Sequence, residues 1–426
     1  MTVKRLQDEI PFKKEKLFDY VNKFNFPRLA GTQGEKKAVA LTLGTFKAIG
    51  FKPDQVKSQN FEFSTFYSKS MIKIIIFLNL MFVSIVLLIK YLYTLYTFIS
   101  ILILVIIFFS MIKVLKYPEL KGFWEKYFGK FIKATNVFVK IPAINLSSSK
   151  VGNIIVSAHL DSKSQTFKTF WRVTFARIWL YSEITLFISY TLFLVDYHLL
   201  IKLFNPLILL FEVVILIATI LTVICNVILL FLRIENNSSG SLDNATGMSI
   251  VFELSEFFKN HPLNNFNLWF CQFSAEELGT MGSRKFLDLY DEIFLKDYTY
   301  QINFDMVSVK DNNKKNLIEY IKSYGIIPRK KISPILVEYL KRVVKAEKIN
   351  YKGFHVSLGA HTDSIPFHLR KFDTIDFTTR AACKYTHSAE DTPDKVDPQT
   401  LLEACRATQL LIIMLDKNFK NLIKSS

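Results

Sequence analysis

Two long apolar blocks, residues 71–112 and 178–232, interrupt an otherwise polar chain and constrain its fold more than any other feature. About 20 apolar residues suffice to cross the hydrocarbon core of a bilayer as a helix. A buried core helix could imitate one such segment, but two consecutive pairs predict two transmembrane hairpins. The four predicted spans are 71–89, 93–112, 178–195 and 206–232.

Basic residues flank these blocks unevenly, which predicts an orientation. Two hairpins return the chain to the side from which it came, so residues 1–70, 114–177 and 233–426 share one side. That side carries most of the lysines and arginines near the spans, whereas the opposite loops carry Lys90 and Lys202. By the positive-inside rule we expect a multi-pass integral membrane protein whose large polar part is cytoplasmic.

Charge and cysteine content indicate which binding partners and which cellular compartment to expect. The formal net charge is +17, but the lysines are scattered and form no basic-aromatic recognition motif. We therefore expect a lipid bilayer and no nucleic acid as the partner of this charge. Four cysteines without a CxxC pattern predict a reducing compartment, and the N-terminus lacks the apolar region of a signal peptide. The sequence does not specify an oligomeric state.

Outside the blocks, the pattern predicts an α/β sheet. The amphipathic segment Met248–Phe258 has helical spacing and lies between strand-like runs. Because strands of such a sheet end at a common edge, residues that follow them should share a site. The predicted strands are Gln59–Phe63, Asn136–Ile141, Asn153–Ala158, Phe266–Phe273 and Tyr300–Phe304. The predicted domain has three parts, 1–70, 114–177 and 233–426, separated by the hairpins 71–113 and 178–232.

The segment Ser274–Gly279 (SAEELG) places two adjacent carboxylates directly after an apolar run. Neighbouring side chains on an extended backbone point in opposite directions, so we expect Glu276 and Glu277 to have different roles. One would bind a metal ion, and the other would act as a general base. For an isolated Glu-Glu pair, the alternative is a surface position at the start of a helix.

Further acidic and imidazole side chains follow other predicted strands and turns. His159 and Asp161 are two residues apart on an extended segment, which suits a carboxylate that orients a metal-binding imidazole. Asp243 lies in a turn before a helix, where one carboxylate can bridge two cations. The remaining candidates for an oxygen and nitrogen ligand set suited to zinc are Glu277, Asp305 and His387.

Taken together, these motifs resemble peptidase family M28, the zinc aminopeptidase-like fold. The motifs occur in the order of the family and cover most of the polar chain. They are PRLAGTQGE (27–35), SAHLDS (157–162), GSLDNATG (240–247), FSAEELGTMGS (273–283), NFDMVS (303–308) and HSAEDTPDKVD (387–397). The resemblance implies a mixed-sheet, phosphorylase/hydrolase-like α/β domain, which the two transmembrane hairpins interrupt in this chain.

The resemblance also implies a metallo-aminopeptidase with two zinc ions per chain and a peptide substrate. Asp243 would bridge the ions, Asp161 would orient His159, and Glu276 would act as general base and then protonate the leaving amine. One metal would hold the free α-amine, so that cleavage removes the N-terminal residue. The two implied ligand sets are His159, Asp243 and Asp305, and Asp243, Glu277 and His387.

Three alternatives stay open at this point. A glutaminyl cyclase would resemble this site but use one zinc ion, and Asn244 after Asp243 favours the peptidase. A non-catalytic membrane receptor or transporter would retain the domain for binding alone. A homologue that has lost activity would lack ligands, whereas all five ligands and the glutamate base are present.

Overall fold

The computed structural model describes residues 12–88, 129–145, 151–198, 208–311, 316–325, 330–356 and 362–419, together with positions 96, 99, 102–103 and 105–106. In chain order, the strands are β1 (Val56–Ser64), β2 (Phe131–Ile141), β3 (Gly152–His159), β4 (Ser164–Gln165), β5 (Ile234–Glu235), β6 (Phe266–Phe273), β7 (Thr299–Phe304), β8 (Leu317–Tyr324), β9 (Lys330–Lys331), β10 (Asn350–Val356) and β11 (Asp373–Phe377). The α-helices are Lys14–Lys23, Gln33–Ala48, Met71–Leu88, Thr169–His198, Ile208–Leu230, Thr246–Asn260, Met281–Tyr290, Pro334–Ala346, Ser364–Leu369 and Pro398–Lys417.

The chain divides into two compact units. The first, which we call the sheet unit, comprises Met1–Phe63, Phe131–Lys168 and Ile234–Ser426. The second, which we call the helical unit, comprises Ser64–Lys130 and Thr169–Arg233. Each unit is therefore assembled from segments that are discontinuous in sequence.

A nine-stranded mixed sheet forms the centre of the sheet unit. Its order is β1-β2-β6-β3-β7-β11-β8-β10, with β9 paired to β8. The central strand β3 runs parallel to both β6 and β7, and β2 runs antiparallel to β6. All residues of β3 and β7 are buried. Burial on both faces explains why these parallel strands are rich in apolar residues, and the strand predictions for these segments are confirmed.

Side chains of β6 alternate between two apolar layers. Leu268 and Phe270 belong to the larger layer, which includes the helix Thr246–Asn260, whereas Trp269 and Cys271 belong to the smaller one on the opposite face. Helices thus cover both faces of the sheet, as the period of two along a strand requires. The sheet is a rigid platform, and its strand ends are available for a site.

Three long helices form the described part of the helical unit. Two segments, Phe66–Ile85 and Leu209–Leu230, are long and apolar enough to cross a membrane. The predicted span 178–195 falls within the longer and less apolar helix Thr169–His198, which is not one of these two segments. Apart from its few described positions, the predicted span 93–112 lies outside the described residues. The arrangement with four spans therefore stays a prediction.

Polar side chains link the three helices to one another. Asn79 donates a hydrogen bond to Glu183, and Thr222 donates one to the Ser182 hydroxyl at 3.0 Å. Large apolar side chains such as Phe77 and Leu209 point outward and are 62 % and 74 % exposed. Internal polar contacts combined with an exposed apolar surface are typical of helices that associate in a bilayer.

Substitution of Phe252 tests the packing of the larger apolar layer. Its buried ring contacts Tyr20, Phe24 and Phe46, with centroids 5.2–5.7 Å apart. We expect Phe252→Ala to lower the free energy of unfolding by about 3–5 kcal/mol, because it leaves a cavity that neighbouring rings cannot fill. Urea unfolding in detergent, followed by tryptophan fluorescence, measures the change. Leu289→Ala, at a residue 61 % exposed, should change it by less than about 0.5 kcal/mol; equal effects would contradict this packing.

Candidate active site

Strand register brings three distant parts of the chain to one edge of the sheet. His159, the last residue of β3, pairs with Phe273, the last residue of β6. Ala158 pairs with Phe304, the last residue of β7. The residues that directly follow these strands therefore emerge side by side, and they include both glutamates and Asp305.

The first cluster consists of His159, Asp243 and Asp305. His159 Nε2 lies 3.1 Å from Asp243 Oδ1 and 3.5 Å from Asp305 Oδ1. All three side chains are buried, and the three atoms find no hydrogen-bond partner of suitable geometry among the described residues. Buried polar atoms are rarely left unpaired. Their convergence within 4.8 Å of one another fits a cation held between them.

The second cluster consists of Asp243, Glu277 and His387. His387 Nε2 lies 3.2 Å from Asp243 Oδ2 and 3.1 Å from Glu277 Oε2. Asp243 thus presents a different oxygen to each cluster, which is the geometry of a carboxylate that bridges two cations. Carboxylate and imidazole ligands in these numbers suit zinc.

Glu276 belongs to neither cluster but lies at the edge of the first. Its Oε2 is 3.9 Å from His159 Nε2, and the side chain is 5 % exposed. A carboxylate beside the clusters, and outside the two groups that could hold an ion, is free to exchange a proton.

The two glutamates separate for a reason that differs from the sequence prediction. We expected an extended backbone to point them apart, and this was wrong, because β6 ends at Phe273 and the glutamates lie in a turn. Ala275 adopts a left-handed conformation with φ of 59° and starts that turn. Tertiary contacts of the turn, described next, fix the direction of each side chain.

Asp161 holds both the imidazole and the glutamate turn. His159 Nδ1 is 3.0 Å from the backbone carbonyl of Asp161, and a carbonyl can only accept, so Nδ1 carries a proton and Nε2 is the nitrogen that faces the cluster. The Asp161 carboxylate, 3.6 Å from Nδ1, accepts hydrogen bonds from the amides of Glu276 at 3.1 Å and Glu277 at 3.3 Å. One residue therefore orients a candidate ligand and places the candidate base.

Asp391 holds the loop that carries Asp243 through backbone amides, as Asp161 holds the glutamate turn. Its carboxylate accepts hydrogen bonds from the amides of Leu242 and Asp243. Asn244 continues this loop by donating to the carbonyl of Phe304 at 2.7 Å. The fold thus uses buried side chains to tie the ligand-bearing loops to one another.

Arg28 links these loops through the largest number of hydrogen bonds. Its guanidinium is fully buried and donates to the backbone carbonyls of Phe24, Leu160, Ser239 and Gly240, with Phe26 at 3.2 Å. Burial lowers its pKa to about 10 although the surrounding carboxylates oppose this. Five donors on a planar group match this number of acceptors. Arg28 therefore connects the segment before Asp161 with the segment before Asp243.

Burial and charge shift the pKa values of the site carboxyls in different directions. Burial raises the pKa of Asp305 to about 6 and that of Glu276 well above its usual value. Burial also opposes ionisation of Glu277, but the charges of His387 and Lys163 outweigh it and lower that pKa to about 2. Buried carboxylates repel one another, and bound cations would relieve this repulsion.

Sequence reasoning missed three residues near this site. Arg28 stood within a quoted motif without a role, and Lys163 directly follows SAHLDS. Asp363, two residues after His361, lies outside the quoted motifs, yet it is 1 % exposed and burial raises its pKa to about 7. His361 itself lies outside the described residues. The only indication in the sequence was that a charged residue lies in or near a motif. Which groups such a residue contacts becomes known only from the folded structure.

Two other polar residues lie close to His387 in sequence. Thr392 is half-buried and hydrogen-bonds Glu390 and Asp394. Tyr385 packs against the larger apolar layer, with Lys395 Nζ 5.6 Å from its ring centre.

Comparison with known proteins identifies related sequences and folds. Residues 227–412 match the model of peptidase family M28. Over 172 residues the chain is 27 % identical to aminopeptidase YwaD of Bacillus subtilis (strain 168), a match covering 39 % of this chain and 36 % of that protein. The chain thus spans about a third of the length of the relative it matches.

Solved structures share the fold at low sequence identity. The zinc aminopeptidase BSAP of Bacillus subtilis is 14 % identical with a TM-score of 0.52, covering 95 % of this chain and 96 % of that one. An aminopeptidase of Aneurinibacillus sp. strain AM-1 is 13 % identical with a TM-score of 0.53, covering 94 % and 93 %. A glutaminyl cyclase of an Acidobacteriales bacterium is also 13 % identical with a TM-score of 0.53, covering 96 % of each chain.

Arg28→Lys should weaken the site, because hydrogen bonds to the backbone carbonyls of its loops are lost. Lysine has three donors instead of five, so buried carbonyls lose partners at about 1–3 kcal/mol each. We expect a lower unfolding midpoint and weaker zinc binding, measured by thermal unfolding and zinc titration of the detergent-solubilised protein. Arg342→Lys is the control, since Arg342 is exposed and pairs with Glu338 on a helix surface. Similar results for both variants would contradict the role of Arg28.

Proposed function

The chain carries a peptidase family M28 domain over residues 227–412, and from this premise we propose that it is a membrane-anchored, zinc-dependent aminopeptidase. The observation that carries the proposal is the pair of buried clusters that share Asp243, with Glu276 beside them. The relative and several fold neighbours are named as aminopeptidases, which supports the same reaction class.

We assign the metal ligands from the two clusters. One zinc ion would be held by His159, Asp243 and Asp305, and the second by Asp243, Glu277 and His387. When bound, two zinc ions would polarise the scissile carbonyl and lower the pKa of the attacking water.

Glu276 performs the proton transfers in this proposal. Its buried carboxylate would take a proton from the attacking water and pass it to the nitrogen of the leaving amine. Burial raises the pKa of Glu276, which makes its carboxylate a stronger base for this transfer. Asp161 supports this step as a positioning residue, because it fixes the amides of the glutamate turn.

Glu276→Gln should separate proton transfer from metal binding. We expect hydrolysis of aminoacyl reporter substrates to fall by about 10²–10⁴-fold, because glutamine cannot act as a base. Zinc content should stay at two ions per chain, since Glu276 belongs to neither ligand set. Asp243→Asn should lose both zinc and activity, and a chelator should abolish the activity of the unmodified protein.

Controls make this test decisive. Glu338→Gln changes an exposed glutamate that is 61 % accessible and should leave both readouts unchanged. Full activity of Glu276→Gln, or unchanged zinc content of Asp243→Asn, would contradict the proposed mechanism.

A glutaminyl cyclase is the second candidate, because a fold neighbour carries that name. Such an enzyme would release ammonia from an N-terminal glutamine and leave the peptide at full length. Mass spectrometry of peptides that begin with glutamine distinguishes this product from one shortened by a residue. One zinc ion per chain at saturation, together with cyclised product, would favour the cyclase.

For localisation, we propose four membrane spans with the sheet unit on the cytoplasmic side. The two candidate spans support membrane association, and the basic residues near the apolar blocks support the orientation. The protein should stay in the membrane pellet after an alkaline carbonate wash and leave it only in detergent. Protease should remove a C-terminal epitope tag in inside-out vesicles but not in sealed right-side-out vesicles. Release by carbonate, or the reverse protection pattern, would contradict the proposal.

A further inference from the structure

Lys163 lies within the site and makes three contacts with one candidate ligand. Its ammonium Nζ is 2.9 Å from Glu277 Oε2 and 2.9 Å from the Glu277 backbone carbonyl. Its own amide donates to Glu277 Oε1 at 3.2 Å. The side chain is 9 % exposed, so this ion pair is shielded from solvent and from screening by salt.

These contacts make the two clusters unequal. In the first cluster, the converging atoms of His159, Asp243 and Asp305 have no hydrogen-bond partner among the described residues. In the second, both oxygens of Glu277 already accept hydrogen bonds from Lys163. A cation at the second cluster would therefore compete with the hydrogen bonds from Lys163 to Glu277. A cation at the first cluster would meet no such competition.

Charge adds to this inequality. Each cluster offers two carboxylates, and Asp243 is common to both. The second has the Lys163 ammonium, which lowers its net negative charge by one unit. A unit charge within a few ångströms in a buried site changes cation affinity by about tenfold or more.

We propose that Lys163 makes the Asp243, Glu277 and His387 site the weaker and more readily exchanged of two zinc sites. The inference rests on the proposed function, because it assumes that both clusters bind zinc. It adds that the chain holds its first ion at His159, Asp243 and Asp305, and that the second ion follows the free zinc concentration. Lys163 acts here on a ligand and does not touch the substrate.

Zinc titration of the full chain in detergent, stripped of metal and measured against a competing chromophoric chelator, gives two dissociation constants. For Lys163→Gln, which keeps a hydrogen-bond donor and removes the charge, we expect the weaker constant to tighten at least about tenfold. The tighter constant should change by much less. Lys163→Arg, which keeps the charge, should resemble the unmodified protein. The matched control is Lys168→Gln, since Lys168 pairs with Glu390 at the surface.

Two outcomes would overturn the inference. The first is that the weaker constant of Lys163→Gln stays unchanged or becomes weaker still, with thermal unfolding unaltered, because Lys163 would then serve only to orient Glu277. The second is that the unmodified protein binds two ions with equal affinity. If Lys163→Gln does not fold, Lys163→Met offers the same charge change in an apolar side chain and is judged by the same criteria.

The proposed function fails separately from this inference. Absence of hydrolysis at saturating zinc, or zinc binding by Asp243→Asn equal to that of the unmodified protein, would remove the proposed enzyme. Two unequal constants that do not respond to Lys163 would leave the enzyme standing and remove only the inference.

Discussion

The site depends on buried charged side chains that bind backbone groups of the loops around them. Asp161 accepts the amides of the glutamate turn, and Asp391 accepts those of the Asp243 loop. Arg28 donates to the carbonyls that precede both Asp161 and Asp243. Because a buried charge left without partners is costly, each of these contacts stabilises the loop that it holds. They give irregular loops the fixed geometry that strands and helices obtain from their own hydrogen bonds.

This arrangement explains how one site can be assembled from a discontinuous chain. The segment Thr169–Arg233 of the helical unit is inserted between Asp161 and Asp243 in sequence. Within the sheet unit, Arg28 binds the carbonyls of Leu160 and Gly240, and β4 pairs with β5 at the two sides of that insertion. Contacts of this kind let the sheet unit keep its ligand geometry whatever is inserted between the ligands.

Much of the fold and the membership of the site followed from the sequence. Short runs rich in apolar residues identified β3, β6 and β7, and β6 has the predicted bounds Phe266–Phe273. Side chains at the ends of these strands, together with the quoted motifs around Asp243 and His387, named the residues that the structure brings together in the two clusters. The local reasoning failed at the glutamates, where a turn that starts at Ala275 replaces the extended backbone. Strand periodicity carries no information about the turn that follows a strand.

The sequence by itself determined which residues are apolar enough to form buried strands and which ligand types follow them, because these properties depend on local pattern and side-chain chemistry. Tertiary structure alone decided the charge balance of the site. The pairing of Lys163 with Glu277 and of Arg28 with Leu160 and Gly240 joins residues separated by more than a hundred positions. Electrostatic energies depend on distance and burial, and neither quantity exists until the chain has folded.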